Sequence, residues 1–135
     1  MSAGEERLSS ALEKQLEPPW AIYRNVAWLD KPAPGAEPQD GEADLVVAHP
    51  DRGVMVIEVK GGRVQRIGGR WESLDRTGTA HQIKDPFAQV TRAMHRLKRV
   101  CEKQPAWPSH DVRFTRAVCF PDAAYDRSMT PDGPR

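Results

Sequence analysis

Three residues near the middle of the chain have the types and spacing for phosphoryl chemistry: Asp44, Glu58 and Lys60. Glu58 and Lys60 stand two apart in the run Gly-Val-Met-Val-Ile-Glu-Val-Lys (53–60), and Asp44 lies in Gly-Glu-Ala-Asp-Leu-Val-Val (41–47). Ala43–Ala48 and Gly53–Lys60 are nearly continuous apolar runs, which is the pattern of central strands buried on both faces. Side chains two apart on a strand share a face, so Lys60 falls beside Glu58. His49-Pro50-Asp51-Arg52, closed by Gly53, reads as a tight turn between antiparallel strands. A turn centred on Asp51 sets Ala48 opposite Val54 and Asp44 opposite Glu58, with opposed Cβ atoms roughly 4.5–5.5 Å apart. A slip of one residue would send the two acids to opposite faces.

Opposed acids inside apolar strands are costly, because like charges repel across the ladder and burial penalises each carboxylate. A divalent cation removes both costs. Mg²⁺ takes one or two carboxylates and completes its shell with water and phosphate oxygens. Such an ion lowers the pKa of a bound water and stabilises charge on a phosphate under attack. A neighbouring lysine can orient or deprotonate the water, or offset charge in the transition state. A structural Glu58–Lys60 salt bridge on a sheet edge is the other reading of the same residues.

Several elements must hold these groups. Leu8, Leu12 and Leu16 recur every four residues and predict a helix over 5–16, stopped by Pro18-Pro19. Ser2 with Glu5 three residues on has capping-box spacing. Residues 20–29 read as a strand, and 30–41, with three prolines and two glycines, as a loop. Val64–Ile67 and Arg70–Leu74 form a weaker hairpin around Gly68-Gly69. Asp85 as cap and Pro86 as first residue open a second helix to about Lys103, with Val90, Ala93, Leu97 and Val100 as its apolar stripe. Val112–Phe120 is a last strand. Residues 1–121 thus form one domain, and 122–135 read as a polar, proline-containing tail or interdomain linker. The order α-β-β-β-α-β predicts an α/β sandwich with a central mixed sheet flanked by helices.

The segments 41–47 and 53–60 resemble the core of the nuclease-related domain (NERD), a family similar to the PD-(D/E)XK superfamily. The resemblance covers most of residues 4–121. It implies a restriction-endonuclease-like fold, metal binding by Asp44 and Glu58, and a catalytic Lys60. Gly4-Glu5 ahead of Leu8 and Leu12 resembles the family's opening helix, which implies that Glu5 reaches the site. The periodicity agrees, placing Glu5 on the face of Leu8, Leu12 and Leu16; the capping box with Ser2 is its alternative role. Asp85-Pro86-Phe87-Ala88-Gln89 resembles the family's Asn-Pro-hydrophobic-x-Gln segment, which implies that Gln89 lines the site; Asp85 departs from the common Asn. The implied activity is Mg²⁺- or Mn²⁺-dependent hydrolysis of DNA phosphodiester bonds, in DNA repair or processing. Ala-His-Pro-Asp-Arg-Gly-Val and the ending Pro-Asp-Gly-Pro-Arg look like versions fused to superfamily 1 helicases. A helicase domain, in the same or another chain, is therefore an expected partner. The chain carries no G-x-x-x-x-G-K-[ST] segment of its own. A catalytically inactive nucleic-acid-binding module accessory to a helicase is the alternative.

With 20 basic and 19 acidic groups, the formal charge of +1 argues for no nucleic acid by itself. The case rests on placement. Gln89, Arg92, Arg96, Arg99 and Lys103 fall three or four apart on one helix face, a stripe suited to a phosphate backbone or simply to solvent. Arg63, Arg66 and Arg70 near the weaker hairpin are ambiguous. No apolar run is long enough to cross a membrane and no signal-peptide core opens the chain, so a cytoplasmic protein is expected. Cys101 and Cys119 read as buried free thiols, and the four histidines as surface residues without zinc spacing. Trp20, Trp28, Trp71 and Trp107 read as core packing before base stacking.

Overall fold

The computed structural model describes residues 2–122. Helix α1 (Ala3–Gln15) starts where Ser2 Oγ accepts the Glu5 N–H at 3.1 Å, so the predicted cap is present. Three strands follow as a meander: β1 (Ala21–Asp30), β2 (Gln39–His49) and β3 (Gly53–Val59). A small antiparallel sheet then forms from β4 (Arg63–Ile67), β5 (Arg70–Leu74) and β6 (Ala80–Gln82). Helix α2 (Pro86–Glu102) crosses back, and β7 (Phe114–Cys119) lies parallel to β3. The main sheet has the order β1-β2-β3-β7, antiparallel except for that last pair, so it is mixed as expected.

The helices lie on opposite faces of this sheet. Leu8 and Leu12 of α1, with Leu16 at its C-cap, pack on Leu45, Val47, Ile57 and Val59. Val90, Met94 and Leu97 of α2 bury against Ala43, Val46 and Val56. Successive strand residues serve alternate layers, which explains why residues 45–48 of β2 and 53–57 of β3 are apolar without a break. Trp71, Phe87 and Phe120 stand within 5.7–6.3 Å of one another and fasten the small sheet to α2 and to the end of β7.

Three differences from the sequence reading have local causes. The β2 strand begins at Gln39, inside the expected loop, because Trp28, Leu29 and Asp30 pair with Gly41, Asp40 and Gln39. Gly41 permits this: a Cβ there would collide with the Trp28 indole. The three-residue β6 carries no apolar pattern, its residues being exposed, and pairs with β5 alone. The two cysteines are free but only half-buried. The tail expected over 122–135 lies outside the described residues except for Asp122, which accepts the Gly62 N–H at 2.6 Å and pairs with Arg7. No helix among the described residues is long and apolar enough to cross a membrane.

Candidate active site beside the central hairpin

The hairpin has the predicted register, with Ala48 opposite Val54 and Leu45 opposite Ile57. Asp44 and Glu58 are the next positions along, and there β2 loosens on both sides. Its ladder to β1 runs Arg24–Leu45 and then Val26–Ala43, skipping Asn25, which adopts φ 50. Asparagine tolerates that left-handed backbone better than most residues. Asp44 Oδ2 instead accepts the Val59 N–H at 2.8 Å, binding the acid to the end of β3. Ala43 packs in the α2 layer, although strict alternation from Leu45 would place it in the other. The break at Asp44 is thus also a change of face.

Glu58 follows Val54 and Val56 on the α2 side of β3, and its side chain is 13% exposed. Lys60 Nζ lies 3.3 Å from Glu58 Oε1. Burial pushes the Glu58 carboxyl above its ordinary value, and the Asp44 charge pushes it further. Lys60 opposes the rise, while Glu42 adds a smaller upward push. Two acids and an ammonium therefore converge, and the environment disfavours charge on Glu58 even with its lysine in place.

The sequence profile of the nuclease-related domain matches residues 2–121. The chain belongs to this family. No curated protein and no solved structure matches it. For a NERD chain the question is then where the remaining expected site residues stand. Gln89, in the first turn of α2, lines a cleft of about 590 Å³ together with Trp28, Glu42, Arg92 and Arg96. Its Oε1 is buried without a hydrogen-bond partner. Asp85, in place of the common Asn, caps α2: its Oδ1 accepts the N–H groups of Phe87 and Ala88 at 2.9 and 3.3 Å. This capping fixes where the helix that carries Gln89 begins.

Glu5 is half-buried in the first turn of α1. Gly4 beside it packs against Gly61, just beyond Lys60, and Pro121. Among the described residues no hydrogen bond or ion pair joins the Glu5 carboxylate to Asp44, Glu58 or Lys60. The structure therefore brings Glu5 over the end of β3 without linking it to the acid pair.

The basic stripe divides. Arg92 and Arg96 line the cleft. Arg99 instead donates to Asp30 Oδ2 through Nε at 3.2 Å and Nη2 at 2.6 Å, and Lys103 Nζ reaches Asp30 Oδ1 at 3.4 Å and the Lys31 carbonyl at 2.8 Å. Asp30 is 1% exposed, and hydrogen bonding from Arg99 holds its carboxyl below the ordinary range despite burial. Arg99 and Lys103 thus neutralise a buried acid 69 and 73 residues away in sequence. Sequence reasoning missed Glu42 and Asp30, and it read Trp28 as core packing before base stacking. Glu42 had a signal, standing two residues from Asp44 on a strand. Asp30 had none, being a single acid before a proline-rich stretch.

Proposed function

We propose that this NERD chain is a Mg²⁺- or Mn²⁺-dependent nuclease domain that hydrolyses DNA phosphodiester bonds, working in DNA processing with a helicase in the same or another chain. The observation that carries the reading is the meeting of Asp44 and Glu58 beside the buried stretches 45–47 and 56–57, with Lys60 just past the end of β3. Among the described residues no group of three or more His, Cys, Asp or Glu side chains forms a metal cage. A carboxylate pair still fits Mg²⁺, which keeps several waters and takes the rest of its ligands from phosphate. Beyond burial, the Asp44 and Glu42 charges push the Glu58 carboxyl up, and these acids together favour added positive charge.

Asp44 and Glu58 would hold the cation. When bound, it would supply an activated water and charge neutralisation at the phosphate. Lys60 Nζ lies 3.3 Å from Glu58 Oε1 and would stabilise charge developing on phosphate oxygens. Gln89 places an amide on the cleft wall to position water or substrate. The test is cleavage of plasmid and oligonucleotide DNA with and without Mg²⁺ or Mn²⁺, for wild type, Glu58→Ala and Lys60→Ala. Loss of cleavage in both variants supports the assignment. Full metal-dependent cleavage in both refutes it. No cleavage by wild type, with DNA binding retained, would favour the accessory binding module.

A further inference from the structure

Asn25 belongs to none of the groups assigned above, yet it stands at the rung where both strands beside Asp44 turn over. In β1, Ile22 packs in the α1 layer and Arg24 reaches Ser9 and Glu13 of α1, whereas Val26 and Trp28 pack in the α2 layer. In β2, Leu45 and Val47 belong to the α1 layer and Ala43 to the α2 layer. Side chains two apart on an unbroken strand share a face. Arg24 and Val26 do not, and neither do Leu45 and Ala43. The register is the same on either side, with Arg24 opposite Leu45 and Val26 opposite Ala43. The two strands therefore reverse together across one unpaired rung, Asn25 with Asp44. Alternation holds only while every residue is extended, and Asn25, at φ 50, is the one non-glycine residue with positive φ among the described residues.

The reversal decides what the Asp44 carboxylate reaches. On a regular ladder a side chain stands on a sheet face, away from the main-chain N–H groups that run between strands. Asp44 Oδ2 accepts such a group, the Val59 N–H at 2.8 Å. That contact holds the carboxylate at the residue between Glu58 and Lys60. We propose that Asn25 is a positioning residue: its left-handed backbone turns β1 over together with β2, which takes Asp44 out of the ladder and seats it on the end of β3, with its second oxygen turned to a divalent cation. The cation rests on the nuclease reading above, whereas the seating of Asp44 does not. The Asn25 side chain is exposed, so the position asks for a backbone conformation and not for a contact. Glycine should serve equally well there, and a β-branched residue should not.

The test compares the full chain with Asn25→Gly, Asn25→Ala and Asn25→Val, by amide hydrogen exchange in EDTA and by calorimetric titration with Mn²⁺. The Val54 N–H, bonded to the Arg113 carbonyl at 2.8 Å at the other end of β3, is the internal reference. In Asn25→Val the Val59 N–H is expected to exchange about tenfold faster relative to Val54, in line with the cost of the left-handed region. Mn²⁺ is expected to bind about tenfold more weakly or worse, as when a metal ligand loses its support. Asn25→Ala should shift both in the same direction by less, and it decides the matter if the valine variant does not fold. Asn25→Gly should match wild type in both to within about twofold. General loss of stability speeds both amides alike, so an unchanged ratio of Val59 to Val54 exchange in the alanine and valine variants would overturn the inference. A change in Asn25→Gly as large as in Asn25→Val would overturn it too, as would Mn²⁺ affinity equal to that of a metal-binding wild type. Failure of the nuclease reading shows separately: wild type would bind no Mn²⁺, while Asn25→Val would still expose the Val59 N–H selectively.

Discussion

Replacing Glu58 by glutamine keeps the shape of the site and removes one charge, and it should act in opposite directions with and without metal. In EDTA near neutral pH, the amide ends repulsion from Asp44 and the cost of burying a carboxylate, and gives up the 3.3 Å pair with Lys60. The upward push on the Glu58 carboxyl shows that burial and Asp44 outweigh it. Glu58→Gln should therefore melt at or above wild type. The sign carries a pH dependence. A carboxyl raised by folding costs stability above its folded pKa, and that cost fades as pH falls from there to the ordinary 4.5, below which it is gone. The variant's advantage should shrink over the same interval. With Mg²⁺ at tenfold excess over Kd, linkage stabilises the wild type by RT ln 11, about 1.4 kcal/mol. For a domain of this size that is about 5 °C. The variant should gain little, so the order of the two melting temperatures narrows or reverses. Differential scanning fluorimetry at several pH values, with EDTA, Mg²⁺ and Mn²⁺, reads all of this. A variant that melts well below wild type in EDTA would show that Asp44 and Glu58 do not oppose each other. Equal metal shifts in both proteins would place the ion elsewhere.

Three further outcomes follow from named contacts. Lys60→Ala should lower kcat about 100-fold or more while leaving DNA binding in EDTA no weaker; wild-type turnover in steady-state assays would remove Lys60 from the chemistry. Arg99→Ala leaves buried Asp30 with Lys103 alone, so its melting temperature should fall at pH 7. Asp30 is held below its ordinary 3.8 chiefly by Arg99. The stability it contributes is present above 3.8 and is lost as pH drops through its folded value, so melts near pH 3 should show a smaller deficit. An undiminished deficit at that pH would mean that Arg99 acts through packing alone. Gly53→Ala should cost about 2 kcal/mol in urea unfolding, because φ is +104 and a Cβ would strike the Arg113 carbonyl; a neutral result would mean that the turn relaxes freely.

The parts of the fold legible in the sequence were those governed by short-range rules. The Asp51 turn fixed the hairpin register, and period-two alternation put Glu58 and Lys60 together. Leu8, Leu12 and Leu16 marked the buried face of α1, and Asp85-Pro86 marked the start of α2. What escaped depends on contacts between distant segments. Helical spacing grouped Arg92, Arg96, Arg99 and Lys103, but only the fold shows that Asp30, at the end of β1, claims the last two. Trp28 read as core, and its place on the cleft wall comes from the extra pairing of β1 with Gly41. Asn25 and the break at Asp44 have no composition signal, because a skipped ladder position is a property of two strands at once.

The parallel pairing of β3 with β7 bears on how the site is assembled during synthesis. The hairpin that brings Asp44 to Glu58 closes across a four-residue turn, whereas Val54 and Thr115 meet across 61 residues. Contacts of short sequence separation form first, and long crossovers close late. A chain emerging from the ribosome can thus bring its two acids together soon after Lys60 is made, before Gln89 and the arginines of α2 exist. The cleft acquires its second wall only when α2 docks and β7 completes the sheet. A nascent chain cut short before residue 86 would hold the acid pair on an open hairpin, with no helix opposite it.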